Sequence, residues 1–98
     1  MVRAMTDGNE YPKVASLPCP CCQYITMHSR AMFEICPVCV WEDDGIRDLD
    51  RDPITGPNRG LTLRAGRSNF QRIGASHERL IHMVRAPRPD EYPPAVQQ

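Results

Sequence analysis

The sequence predicts a small α+β fold, with short strands built around paired cysteines and packed on one or two C-terminal helices. Three observations carry this. Five cysteines fall in two groups within 98 residues. Apolar residues at helical spacing occur only after residue 61. Ten prolines break the chain into short pieces, and a chain with so modest a core needs a staple.

The cysteines are read as that staple. Residues 17–24 run "LPCPCCQY" and residues 35–44 run "ICPVCVWEDD". Pairing Cys19 with Cys22 and Cys36 with Cys39 gives two Cys-x2-Cys units separated by thirteen residues. Proline follows the first cysteine of each pair, at Pro20 and Pro37. A two-residue spacer lets a tight turn bring both sulfurs to one ion, at about 2.3 Å for zinc. Proline presets the turn, and N–H groups further along can donate to the thiolates. Four thiolates on one Zn²⁺ leave no open position, so the site is read as structural rather than catalytic. The readings weighed against it are a disulfide-linked domain, a redox dithiol, and another metal or cluster.

The strands follow from this reading. Gln23–His28 and Met32–Ile35 are expected to pair across a bend near Ser29, Arg30 and Ala31, with Val40 and Trp41 as a third strand. The result is a zinc-ribbon-like architecture. Residues 44–60 are acidic and rich in Gly and Pro, and read as a loop. A helix is expected over 62–73, with Thr62 as N-cap, Leu63, Gly66, Phe70 and Ile73 on one face, and Gly74 as its stop. Ser76 is expected to cap a second helix from His77 to about Val84. The predicted core is Phe33, Ile35, Trp41, Leu63, Phe70, Ile73 and Leu80. Residues 1–16 read as a flexible arm, 17–86 as a single domain, and 87–98 as an extended Pro-rich tail.

The start, "MVRAMTDGNEYPK", shows no signal-peptide pattern, and no run is long enough to span a bilayer. The expectation is a reducing cytoplasm, where paired cysteines bind metal more readily than they form disulfides. Formal charge is zero but segregated. Residues 34–52 hold seven acids and two arginines, and residues 59–88 hold seven arginines and one acid.

Cys21 is left over. It is read as a small apolar residue in the knuckle, with a reactive thiol beside the metal as the alternative. Glu42, Asp43 and Asp44 are candidate contacts for a partner, against the reading that Trp41 packs and the acids begin a solvated loop. The stretch "DLDRD" fails as a calcium loop, because Pro53 and Arg59 stand where glycine and a bidentate glutamate are needed. Arg64, Arg67 and Arg72 either pair with the acidic loop or face a partner, nucleic acid included. Asn69 is expected to hold the acidic loop to the helix. His28, His77 and His82 lack ligand spacing.

With "CPCC", "EICPVCVWEDDG", "LRAGRSNF" and "GASHER" in view, the chain resembles the cysteine-rich CPCC family of small bacterial proteins, from about Leu17 to Pro89. The resemblance implies a zinc-ribbon-like metal site on Cys19, Cys22, Cys36 and Cys39, without a substrate. Gln23 stands where the family usually has glycine, implying a strained or differently shaped first knuckle. Ala65 and Gly66 stand where it tends to have glutamate and alanine, implying an intrinsically weaker helix start.

The function read from the sequence is a non-enzymatic zinc-binding module that contacts a protein partner. A nucleic-acid-binding zinc ribbon is the alternative, and a thiol redox protein or hydrolase ranks below it. Neither a membrane nor a small-molecule substrate is indicated.

Overall fold

The computed structural model describes residues 15–52 and 57–94. Residues 1–14 of the expected 1–16 arm, the loop residues 53–56 and the last four tail residues lie outside the described residues.

Two knuckle hairpins and one helix make the fold. Strand β1 (Leu17–Pro18) pairs antiparallel with β2 (Ile25–Met27), so the first cysteine pair lies in the turn between them. Helix α1 spans Leu63–Ile73. Short 3-10 turns at Pro57–Gly60, Glu78–Met83 and Pro89–Glu91 complete the ordered elements.

The strand pairing differs from the expected hairpin across the thirteen-residue spacer. Each knuckle is itself the turn of a hairpin. Cys19 N–H donates to Tyr24 C=O at 2.8 Å, and Gln23 N–H to Cys19 C=O at 2.9 Å. The second knuckle repeats this, with Cys36 N–H on Trp41 C=O at 2.9 Å and Val40 N–H on Cys36 C=O at 2.8 Å. Residues 33–35 therefore pair forward with 42–43, through an Ile35–Glu42 bridge, instead of backward with β2. Closing each turn needs positive φ, and the residues supplying it are Gln23 (φ 74°) and Val40 (φ 68°). The strain expected at Gln23 thus has a counterpart at a β-branched residue, where it is less tolerated.

Helix α1 begins and ends as its sequence demands. Thr62 Oγ1 accepts from Ala65 N–H at 3.1 Å, and Gly74 closes the helix in the left-handed region with its N–H on Phe70 C=O. Its inner face is Leu63 and Gly66, both buried. Gly66 meets Trp41 and Cys21, while Arg67 Nε donates to Pro20 C=O at 2.8 Å. One helix thereby touches both knuckles.

The second helix is a 3-10 turn, Glu78–Met83, capped by His77, whose Nδ1 accepts from Arg79 N–H. Ser76 serves a different purpose. It is buried, and its N–H donates to Cys39 C=O at 2.8 Å. Asn69 holds this connection rather than the acidic loop, donating to Ser76 C=O at 2.9 Å. The expected tail also turns back at Pro89–Glu91, where buried Glu91 binds Arg85 through both oxygens.

The core differs from the expected one in a consistent way. Trp41 and Leu63 are buried, and Phe70 packs against them half-buried. Ile73 and Leu80 are half-buried, whereas Phe33 and Ile35 are 51% and 55% exposed. The centre is instead the five cysteines with Met27, Val38, Trp41 and Leu63. The cysteines fill space that a larger domain would give to aliphatic side chains.

Candidate metal centre

The two knuckles face each other and bring four sulfurs together. The Sγ atoms of Cys19, Cys22, Cys36 and Cys39 all lie within 4.8 Å of one another. Cys19 and Cys39 approach to 3.6 Å, and Cys22 and Cys36 to 3.7 Å. Four sulfurs about 2.3 Å from a common centre in a tetrahedron stand about 3.8 Å apart, so these separations fit one ion with sulfur ligands. None of the five cysteines forms a disulfide.

The surroundings fit thiolates. Cys21 N–H points at Cys19 Sγ, Val38 N–H at Cys36 Sγ, and Trp41 N–H at Cys39 Sγ, each at 3.4 Å. Thr26 Oγ1 lies 3.0 Å from Cys36 Sγ, as a hydroxyl donating to a thiolate does. Hydrogen bonding with Cys19 and Cys36 pushes Cys22 up, and contact with Cys19 and the other thiols pushes Cys39 up. Hydrogen bonds from Cys19, Cys22 and Cys39, joined by Thr26, pull Cys36 down. Four buried sulfurs this close together suit a divalent cation that takes all four as anions.

Cys21 lies outside the group of four. Its thiol is 3% exposed and rests over the Gly66 position of α1, where an added Cβ would lie 3.4 Å from Sγ. That places the thiol inside the core, against α1.

The three acids after Trp41 do not form a surface cluster. Asp43 is fully buried, a correction to its candidacy as a partner contact. Its carboxylate accepts from Ala31 N–H at 3.0 Å, Gly45 N–H at 3.1 Å and the Arg47 guanidinium at 2.9 Å. Burial pushes Asp43 up, but Arg47 and the two N–H groups outweigh it and hold the carboxyl below its usual range. Asp44 closes a local turn onto Ile46 N–H. Glu42 is half-buried, and its backbone N–H and C=O are both bound by the Asn58 amide at 2.7 and 2.9 Å.

Each of the three candidate arginines has an acceptor in the chain. Arg64 pairs with Asp50 at 2.7 Å, Arg67 holds Pro20 C=O, and Arg72 donates to Asn69 Oδ1 at 2.6 Å. The histidines take no part in the sulfur group; His28 Nδ1 lies 2.6 Å from Glu34.

Sequence reasoning passed over Thr26 as a support of the site. A polar residue between Ile25 and Met27 in a strand beside the knuckle is the signal that could have found it. Ser76 and Asn69 act across a fold that spacing does not reveal.

A family model described as "Cysteine-rich CPCC" matches residues 17–91. No curated protein and no solved structure shows a significant match to the chain. No described helix is long and apolar enough to cross a membrane.

Proposed function

The chain belongs to the cysteine-rich CPCC family, and from that premise we propose a non-enzymatic, zinc-stabilised protein-interaction module of the bacterial cytoplasm. The observation that carries the metal reading is the sulfur group, four Sγ atoms within 4.8 Å. Zinc suits it best among common ions, because four soft thiolates in a tetrahedral arrangement favour zinc or an iron–sulfur centre, and one small ion needs no bridging sulfide. Cys19, Cys22, Cys36 and Cys39 would hold the ion and fill its coordination, which supplies folding energy rather than a reaction site. On this reading the fold is a variant zinc ribbon with two knuckle hairpins, and residues 17–86 hold its single domain.

Protein contact is favoured over nucleic acid by how the arginines are engaged. Arg64, Arg67 and Arg72 each serve an acceptor within the chain. A phosphate-binding face needs cations that are free to meet phosphates. Exposed Phe33, Ile35, Ile81 and Met83 suit a protein surface better.

Metal analysis with thiol titration tests the proposal. It predicts one zinc per chain, with Cys21 alone open to a thiol reagent while metal is bound, and slowly because it is buried. Metal-free protein or two disulfides would contradict it. Titration with DNA and RNA at low salt separates the nucleic-acid alternative, which requires binding that weakens steeply as salt rises.

A further inference from the structure

We propose that the partner is a second copy of this chain, docked two-fold through the groove lined by Ile35, Val40, Leu80 and Met83, with Glu42 of each copy against Arg59 of the other. This rests on the protein-interaction reading and names the partner for it.

The groove measures about 380 Å³. The second knuckle hairpin, the Pro57–Gly60 turn and the Glu78–Met83 turn form its walls. Ile35 and Met83 are 55% and 56% exposed, and the other exposed apolar residues include Phe33 and Ile81 on the same two segments. An apolar strip with a polar rim is the anatomy of a protein interface.

The rim identifies the occupant. Its charged side chains are one acid, Glu42, and one base, Arg59. Neither forms a salt bridge among the described residues, although both line the same groove. A groove with one charge of each sign is self-complementary. A two-fold axis sets each Glu42 against the other copy's Arg59 and repeats the contact. A partner of one sign would leave the remaining charge desolvated and unpaired.

The rim is also held in place. The Asn58 amide brackets the Glu42 backbone, and Asn58 and Arg59 occupy the left-handed region at φ 57° and 55°. Two successive non-glycine residues in that region are unusual. Together they fix Arg59 next to Glu42, and preorganisation of this kind lowers the entropy lost on association. A standard interface buries roughly 800 Å² per partner, so the groove would form the centre of a wider contact in a concentration-dependent dimer.

Sedimentation equilibrium of the full chain with its metal, over a wide concentration range, tests this on wild type, Glu42→Arg, Arg59→Glu, the double swap and Met83→Lys. Metal content is measured on each. The wild type should dimerise. Each single swap places like charges at both symmetric contacts and should weaken the dimer about tenfold or more. Met83→Lys should weaken it too, the double swap should recover it, and metal content should stay constant. A wild type that remains monomeric overturns the proposal and leaves the metal-bound module standing. Single swaps without effect, or a double swap that does not recover, overturn the Glu42–Arg59 pairing. Failure of the underlying reading would look different: wild-type protein without metal.

Discussion

Gly66 lies so close to the Trp41 indole that no side chain fits between them. A Cβ at position 66 would stand 2.5 Å from Cζ3 and 2.8 Å from Cε3. This contact seats α1 on the second knuckle, just as Arg67 seats it on the first. Two effects oppose each other at Gly66→Ala. Helix propensity favours alanine by about 1 kcal/mol. Overpacking costs about 1–3 kcal/mol, and here the obstacle is a buried ring rather than a flexible chain end. The variant should be the less stable one in denaturant melts. A more stable Gly66→Ala would show that the helix is not pressed on the indole.

The cysteines should separate sharply. Cys36→Ser removes a sulfur that receives Thr26 and Val38 N–H and stands 3.7 Å from Cys22 Sγ, and should abolish metal binding and cooperative folding. Cys21→Ser should keep the metal and lose only about 1–2 kcal/mol, for a hydroxyl placed in the core. Metal content and circular dichroism on both variants check this. Equal loss in the two would mean that the four-sulfur set is wrong.

Asp43→Ala should destabilise by roughly 2–4 kcal/mol, although Arg47 is partly exposed and can reach water. The N–H groups of Ala31 and Gly45 would lose their acceptor, and the bend at 28–32 would loosen. Amide exchange at Ala31 and Gly45 should rise in step with the loss. Unchanged exchange would show that the carboxylate does not hold the bend.

Strain at the knuckles gives a stabilising change. Gln23 is exposed and held at φ 74°, which a non-glycine residue adopts at a penalty of about 1 kcal/mol or more. Gln23→Gly removes that penalty and loses one side-chain hydrogen bond to Pro20 C=O. The net gain should be about 0.5 kcal/mol in a denaturant melt. Gln23→Val should lose stability instead, so the pair of variants separates strain from side-chain contact.

Glu91 gives a pH dependence with a definite sign. Hydrogen bonds from Arg85 hold its carboxyl down at about 2, against an ordinary 4.5. A depressed carboxylate contributes stability that is fully present above pH 4.5 and lost as pH falls toward 2. The shift corresponds to about 3 kcal/mol, an order-of-magnitude figure. Glu91→Gln should therefore be less stable than wild type at pH 7, and the gap should narrow below pH 4.5. Acid loss of the metal is common to both proteins and cancels in their difference. A gap that stays constant through this range would contradict the ion-pair account.

What was legible in the sequence was local. The four-sulfur set, the bend near Ala31, the Thr62 cap and the Gly74 stop all follow from spacing or backbone preference within a few residues. Strand pairing was not legible in the same way, because the thirteen-residue spacer can pair backward or forward. The knuckle hydrogen bonds decide it, by making each cysteine pair a hairpin turn. Burial of Phe33 and Ile35 was misjudged for a related reason: apolar character says inside, but the sulfur cluster already fills the inside. Asp43 inverts the error, since a run of acids reads as surface and nothing local shows that one turns inward onto Arg47.

The account stands on one ion held by four sulfurs. X-ray absorption at the zinc edge on purified protein tests it most directly. The prediction is one zinc per chain, with four sulfur neighbours at about 2.3 Å and no oxygen or nitrogen neighbour. A first shell containing nitrogen or oxygen, or a chain without metal that still folds, would contradict it.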